Sequence, residues 1–149
     1  MTSNIIKFVY KDQVSEIRNP DPNETVLNYV RTTLRKTGTK EGCAEGGCGA
    51  CTIVLGELKN NKINYNAINS CITFLPTLHG KQLILVEDLI SKKGSLHPVQ
   101  EAMVNYHGSQ CGFCTPGFIM SLFAMFKNYS KFNDSVIKDS IAGNLCRCT

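Results

Sequence analysis

Apolar positions in the first half of the chain follow patterns that are typical of β-strands. Five short stretches either alternate with polar residues or form apolar runs of strand length: 5–10, 14–17, 52–55, 63–68 and 83–86. The polar residues between the first two predict a hairpin. After it, apolar residues at helical spacing predict one helix that begins with Asp21 as its N-cap and ends at Gly38. One helix on about five strands predicts an α+β fold.

From Glu87 onward the apolar positions recur at helical spacing instead. Three helices are predicted, starting at His97, at Thr115 and near Asp134. Pro98 and Pro116 suit the first turn of the first two helices, because the N–H that proline lacks would have no partner within the helix there. The change of pattern predicts two domains, residues 1–90 and residues 91–149.

The composition is that of a globular protein with a mixed surface. Hydrophobic residues make up 42% of the 149 residues and charged residues 19%. The net charge of +4 comes from basic residues scattered along the chain, so no nucleic-acid partner is expected. The most apolar stretch, 118–126, is about half as long as a membrane span, so no membrane partner is expected. The N-terminus lacks a secretory pattern, which favours a cytoplasmic protein.

Eight cysteines are the strongest chemical signal in the sequence. Their even number is compatible with disulfides, but clustered cysteines in a reducing compartment more often bind metal. Cys43, Cys48 and Cys51 lie on one loop and Cys71 is distant, which is the spacing of plant-type 2Fe–2S ferredoxins. The loop is rich in glycine and alanine, which allow sharp bends and close approach of N–H groups to sulfur. A zinc site would require neither the third loop cysteine nor the glycines.

The other four cysteines are less specific by spacing alone. Cys111 and Cys114 precede the predicted helix at Thr115, and Cys146 and Cys148 follow the last predicted helix. Both pairs therefore emerge at helix ends, where they can converge on one site. A helix N-terminus would favour an anionic cluster. A four-cysteine zinc site stays open, although a Cys-x-Cys pair is a strained one for tetrahedral zinc.

Charged and imidazole side chains near the cysteines are expected to be structural or solvent-exposed. Four sulfurs per site leave no role for His79, His97 or His107 as ligands. Glu41 and Glu45 would repel an anionic cluster and are expected to face solvent.

Three sequence blocks together resemble the iron–sulfur module of the molybdenum hydroxylases. They are GCAEGGCGAC at 42–51, QCGFCTPG at 110–117 and GNLCRCT at 143–149. The blocks occur in the family's order and span nearly the whole chain. Within the family, TGTKE at 37–41 and LHPVQ at 96–100 are similar to the small subunit of bacterial xanthine dehydrogenase.

The resemblance implies a β-grasp ferredoxin-like domain followed by a four-helix domain, with the fourth helix beginning near Glu87. It implies two 2Fe–2S clusters, one for each set of four cysteines. The second cluster would lie near the molybdopterin of a large partner subunit, and the first on the path to FAD and then NAD. Gln110 matches a glutamine that hydrogen-bonds the pterin, and Cys148 matches the ligand nearest to the pterin amino group.

The expected function is electron transfer in a xanthine dehydrogenase-like complex. Family small subunits continue beyond the position of Thr149, often into an FAD-binding domain, so we expect a fragment with no catalytic residues or hydroxylase activity of its own. Two alternatives stay open. One is the same subunit of a hydroxylase that acts on an aldehyde, a nicotinate-type ring or carbon monoxide. The other is a non-redox zinc-binding or disulfide-stabilised interaction module.

Overall fold

A five-stranded mixed sheet forms the first half of the computed structural model, which describes residues 4–148. The strands are β1 Ile5–Tyr10, β2 Gln13–Arg18, β3 Thr52–Lys59, β4 Lys62–Asn69 and β5 Gln82–Ile84. Their order in the sheet is β2-β1-β5-β3-β4. β1 pairs in parallel with β5, and the other neighbours are antiparallel. The five strands and the hairpin predicted from the sequence are confirmed.

The helix between β2 and β3 begins later than predicted. Helix α1, Val26–Asn28, continues as a π-helical turn, Tyr29–Thr33, and so also ends before the predicted Gly38. Its N-cap is Thr25, whose hydroxyl accepts a hydrogen bond of 3.2 Å from the N–H three residues later. The cap predicted at Asp21 is wrong, because its carboxylate accepts the N–H of Asn23 at 2.8 Å and forms a local turn instead.

Three α-helices form the second half of the chain, as predicted. They are α2 Pro98–Asn105, α3 Thr115–Asn128 and α4 Asp134–Ile141. The side chains of His97 and Asn133 cap α2 and α4. The further helix expected near Glu87 is a single 3₁₀ turn, Val86–Leu89. Within residues 4–148, none of the helices has both the length and the apolar character of a membrane span.

Strand β3 is buried on both faces of the sheet, which explains its continuous apolar sequence. Ile53 and Leu55 lie in a core beneath α1, whereas Val54 lies in a second core beneath α3. The first core contains Ile6, Phe8, Val26, Tyr29, Val30, Ile53, Leu55, Leu75, Leu78, Leu83 and Leu85. The second contains Val54, Ile84, Leu89, Ile119, Met120, Phe123 and Ala124. The sheet is thus the middle of three layers, and α3 buries its apolar face against it.

His97 joins α2 to α3 and makes the stability depend on pH. Its Nδ1 accepts the N–H of Val99 at 3.3 Å. Its ring lies edge-on to Phe123 and Phe126, with centroids 5.0 and 5.2 Å away. Burial, and then the charge of Lys127, lower the pKa of His97 below its usual value of 6.5. The folded state therefore favours the neutral imidazole.

We expect the fold to lose stability as His97 is protonated below about pH 6.5. Because the pKa is lower in the folded than in the unfolded chain, the unfolded state binds more protons in this range, and stability rises with pH. His97→Asn keeps an acceptor for the cap but does not titrate. The melting temperature of the variant minus that of the parent should therefore be higher at about pH 5 than at about pH 8. An equal difference at both pH values would contradict this assignment.

Candidate metal centres

The first four cysteines meet at one end of the sheet. Cys43, Cys48 and Cys51 lie on the loop that leads into β3, and Cys71 follows β4. Cys51 and Cys71 are 2% and 9% exposed, whereas the other two are half-buried. The thiols hydrogen-bond in two pairs, Cys43 with Cys48 and Cys51 with Cys71, and Cys43 is also close enough to add to the effect of burial in raising the pKa of Cys71.

The other four cysteines line one cavity of about 500 Å³. Cys111 and Cys114 lie just before α3, and Cys146 and Cys148 follow α4, so the two pairs converge from helix ends. Their sulfurs also contact in pairs, Cys111 with Cys148 and Cys114 with Cys146. Cys48 of the first set lines the same cavity, so the two sites are adjacent.

This pairing of sulfurs fits a two-iron cluster better than a single ion. A 2Fe–2S cluster has four thiolate ligands, two on each iron, whereas a zinc ion needs its four ligands around one point. The donor set therefore fits two clusters.

The loop 42–51 has the shape of a cradle for such a cluster. Gly46 and Gly49 have φ angles of 81° and 70°, in the left-handed region that favours glycine. A Cβ on Gly42 would lie 2.7 Å from the sulfur of Cys48, so a larger residue would displace that ligand. Three of the four loop glycines are thus required, Gly46 and Gly49 by the backbone path and Gly42 by the room around sulfur.

Backbone N–H groups stabilise negative charge on sulfur at both sites. The N–H of Glu45 lies 3.5 Å from the sulfur of Cys43 and, with other loop N–H groups, lowers the pKa of Cys43 to about 7. The N–H of Phe113 likewise lowers the pKa of Cys111. Burial instead raises the pKa of Cys114 to about 11. Because iron binds thiolate, the same N–H donors would stabilise a bound anionic cluster.

The outer rim of the second site is exposed and partly apolar. Cys148 and Gln110 are both exposed there. Phe113 and Leu145 line the cavity and are 47% and 62% exposed. The pterin contacts that the family resemblance assigns to Gln110 and Cys148 stay a prediction. As expected, Glu45 faces solvent.

A polar clasp between the two sites was missed by the sequence reasoning. It consists of the side chains of Asn144, Ser121 and Thr52, all of them buried. Asn144 lies in the block GNLCRCT, but no spacing indicated its partners. The one available signal was Ser121, a polar residue within the otherwise apolar face of α3.

Two known families together match most of the chain. The family described as "2Fe-2S iron-sulfur cluster binding domain" matches residues 9–76. The family described as "[2Fe-2S] binding domain" matches residues 85–149. Each matched segment contains one set of four cysteines. The two clusters expected as cofactors are thus confirmed at the level of the domains.

Named relatives contain the same region. A xanthine dehydrogenase of Drosophila pseudoobscura pseudoobscura is 46% identical over 150 residues, which is 99% of this chain and 11% of that protein. Aldehyde oxidase 1 of Bos taurus is 42% identical over 149 residues, with the same coverage of 99% and 11%. This chain thus spans 11% of the length of these curated relatives.

Solved structures share the fold over nearly the full chain. Quinoline 2-oxidoreductase from Pseudomonas putida 86 superimposes with a TM-score of 0.77 and 29% identity, covering 100% of this chain and 86% of that one. The aldehyde oxidoreductase from Desulfovibrio gigas gives a TM-score of 0.80 and 28% identity, covering 95% and 15%. The expected order, a ferredoxin-like domain and then a helical domain, is confirmed.

Proposed function

We propose that this chain conducts electrons within a molybdenum hydroxylase. The premise is that the chain belongs to the 2Fe–2S family of the xanthine dehydrogenases and aldehyde oxidases. One observation carries the proposal: Cys48 of the first set lines the same cavity as all four cysteines of the second set. Electron tunnelling requires such proximity. Two clusters that only stabilised the fold would not need it.

Each set of four cysteines is proposed to hold one cluster. The flavin-side ligands are Cys43, Cys48, Cys51 and Cys71, and the molybdenum-side ligands are Cys111, Cys114, Cys146 and Cys148. Each bound cluster supplies a centre that takes up and releases one electron. The chain itself shields sulfur from water, as at Cys51 and Cys71, and directs N–H groups at sulfur, as at Cys43.

The exposed rim of the second site suits a partner that carries molybdopterin. Gln110 and Cys148 would contact the pterin, and Phe113 and Leu145 would be covered by the same partner. The first site would face an FAD-binding domain, in the same longer chain or a neighbouring one, with NAD as the final acceptor. We place this complex in the cytoplasm and the boundary between the two domains near residue 90.

The substrate of the complete enzyme is proposed to be a purine, as in xanthine dehydrogenases. The xanthine dehydrogenases among the relatives are 43–47% identical and the aldehyde oxidases 40–44% identical, so the two ranges overlap and the substrate pocket of the complete enzyme decides between a purine and an aldehyde. Substrate assays on the complete enzyme would test it. Turnover of aldehydes without turnover of purines would contradict it.

Metal analysis and electron paramagnetic resonance (EPR) test the proposed function directly. Protein purified without oxygen should be brown and contain about four irons and four sulfides per chain. Reduction with dithionite should produce two distinct EPR signals, one from each cluster. Natively purified protein that is colourless and holds stoichiometric zinc would contradict the proposal and favour an interaction module.

A further inference from the structure

We infer that Asn144 is a positioning residue that fixes the two cluster sites relative to each other, an inference that rests on the proposed electron-transfer function. Asn144 lies two residues before Cys146 and is 9% exposed. It contacts the segments that carry the cysteines of both sites.

The amide of Asn144 bonds in two directions. Its Nδ2 donates to the carbonyl oxygen of Gly49 at 3.1 Å and contacts Oγ1 of Thr52 at 3.4 Å. Both residues flank the cysteines of the first loop. Its Oδ1 accepts the hydroxyl of Ser121 at 2.6 Å. Because Ser121 lies on α3, which begins directly after Cys114, one amide joins the first loop, α3 and the segment before Cys146.

The backbone beside Asn144 reinforces this connection. The N–H of Leu145 donates to the carbonyl oxygen of Cys48 at 2.9 Å. The residue after Leu145 is Cys146, so ligands of the two sites are separated by one hydrogen bond and a short stretch of backbone. The side chain and the backbone of 144–145 thus hold the same loop from two points.

Glycines allow the three segments to approach this closely. A Cβ on Gly117 of α3 would overlap the carbonyl oxygen of Gly49, and a Cβ on Gly49 would overlap that of Gly143. Glycine is a poorer helix former than alanine. Its presence in α3 is therefore explained by the contact with the first loop.

The hydrogen bonds of Asn144 determine where α3 lies on the sheet, whereas apolar contacts supply most of the attraction between them. The second core, which includes Val54, Met120 and Phe123, already holds α3 on the sheet. Apolar contacts are not directional, so they tolerate sliding and rotation of the helix. The clasp is directional, and its side chains are buried, with Ser121 and Thr52 at 5% and 4% exposure. A shift of α3 would leave these polar groups without partners, which is unfavourable in a buried place.

The test measures the magnetic interaction between the two reduced clusters, because this interaction depends steeply on their separation and orientation. Asn144→Ala should keep the full iron content and both EPR signals, but lose part of the spin–spin splitting between them. The N–H of Leu145 should also lose its protection from hydrogen exchange. Asn133→Ala is the matched control: it removes the cap of α4, whose Oδ1 accepts the N–H of Val136 at 3.0 Å, and should leave the splitting unchanged.

A second variant keeps the test decisive if Asn144→Ala does not fold. Ser121→Ala removes one bond of Asn144 and should give a smaller change of the splitting in the same direction. An unchanged splitting in the folded variants would overturn the positioning role and leave the proposed function intact. A parent protein without two EPR-active clusters would overturn the proposed function, and this inference with it.

Discussion

Replacing Cys51 by alanine should remove the first cluster and leave the second, so that the iron content falls from about four to about two per chain. The sulfur of Cys51 is buried in a small cluster with Leu27 and Cys71. Because this position is only 2% exposed, water has no open path to replace the missing sulfur. Because ligand binding contributes folding energy, we also expect the loop 42–51 to lose order and the melting temperature to fall.

Cys114→Ala is the matched variant for the other site and should give the reverse result. The second cluster should disappear and the first should remain, since the two ligand sets share no cysteine. Iron analysis and the two EPR signals distinguish these outcomes. Full iron retention in Cys51→Ala would remove that residue from the ligand set. Loss of both signals in each variant would show that the sites do not assemble independently.

Gly117→Ala should destabilise the protein by about 1–3 kcal/mol, although alanine is the better helix former. The added Cβ would overlap the backbone carbonyl of Gly49, which cannot move aside as a flexible side chain can. The steric effect therefore exceeds the gain in helix propensity of about 1 kcal/mol. For a chain of this size the melting temperature should fall by about 5 °C.

Gly143→Ala provides the control for this substitution. A Cβ on Gly143 meets no atom within 4 Å, and its φ angle is not in the left-handed region. The melting temperature of this variant should stay close to that of the parent. Equal melting temperatures for the two alanine variants would show that α3 does not need to approach the first loop so closely.

Local patterns in the sequence predicted the elements well, since strands and helices follow from the spacing of apolar residues. The five strands and the helices α2 to α4 lie where these patterns indicated. The start of α1 was wrong because Asp21 and Thr25 are both good caps. Only the folded chain shows that the carboxylate of Asp21 is used in the turn to Asn23.

The cysteine sets could be proposed from spacing and resemblance, but their arrangement could not. That the side chain of Cys111 hydrogen-bonds that of Cys148 depends on the path of the chain after α4. The clasp could not be predicted from the sequence for the same reason. Asn144 and Gly49 are 95 positions apart, and their contact follows from the packing of the two halves.

Burial of β3 on both faces has a consequence for synthesis on the ribosome. β3 is translated well before α3, which covers Val54 and Ile84 in the folded protein. Until α3 emerges, the nascent first half exposes an apolar sheet face, which is a condition that favours aggregation or binding by chaperones. This face of the sheet is therefore enclosed only after α3 has emerged from the ribosome.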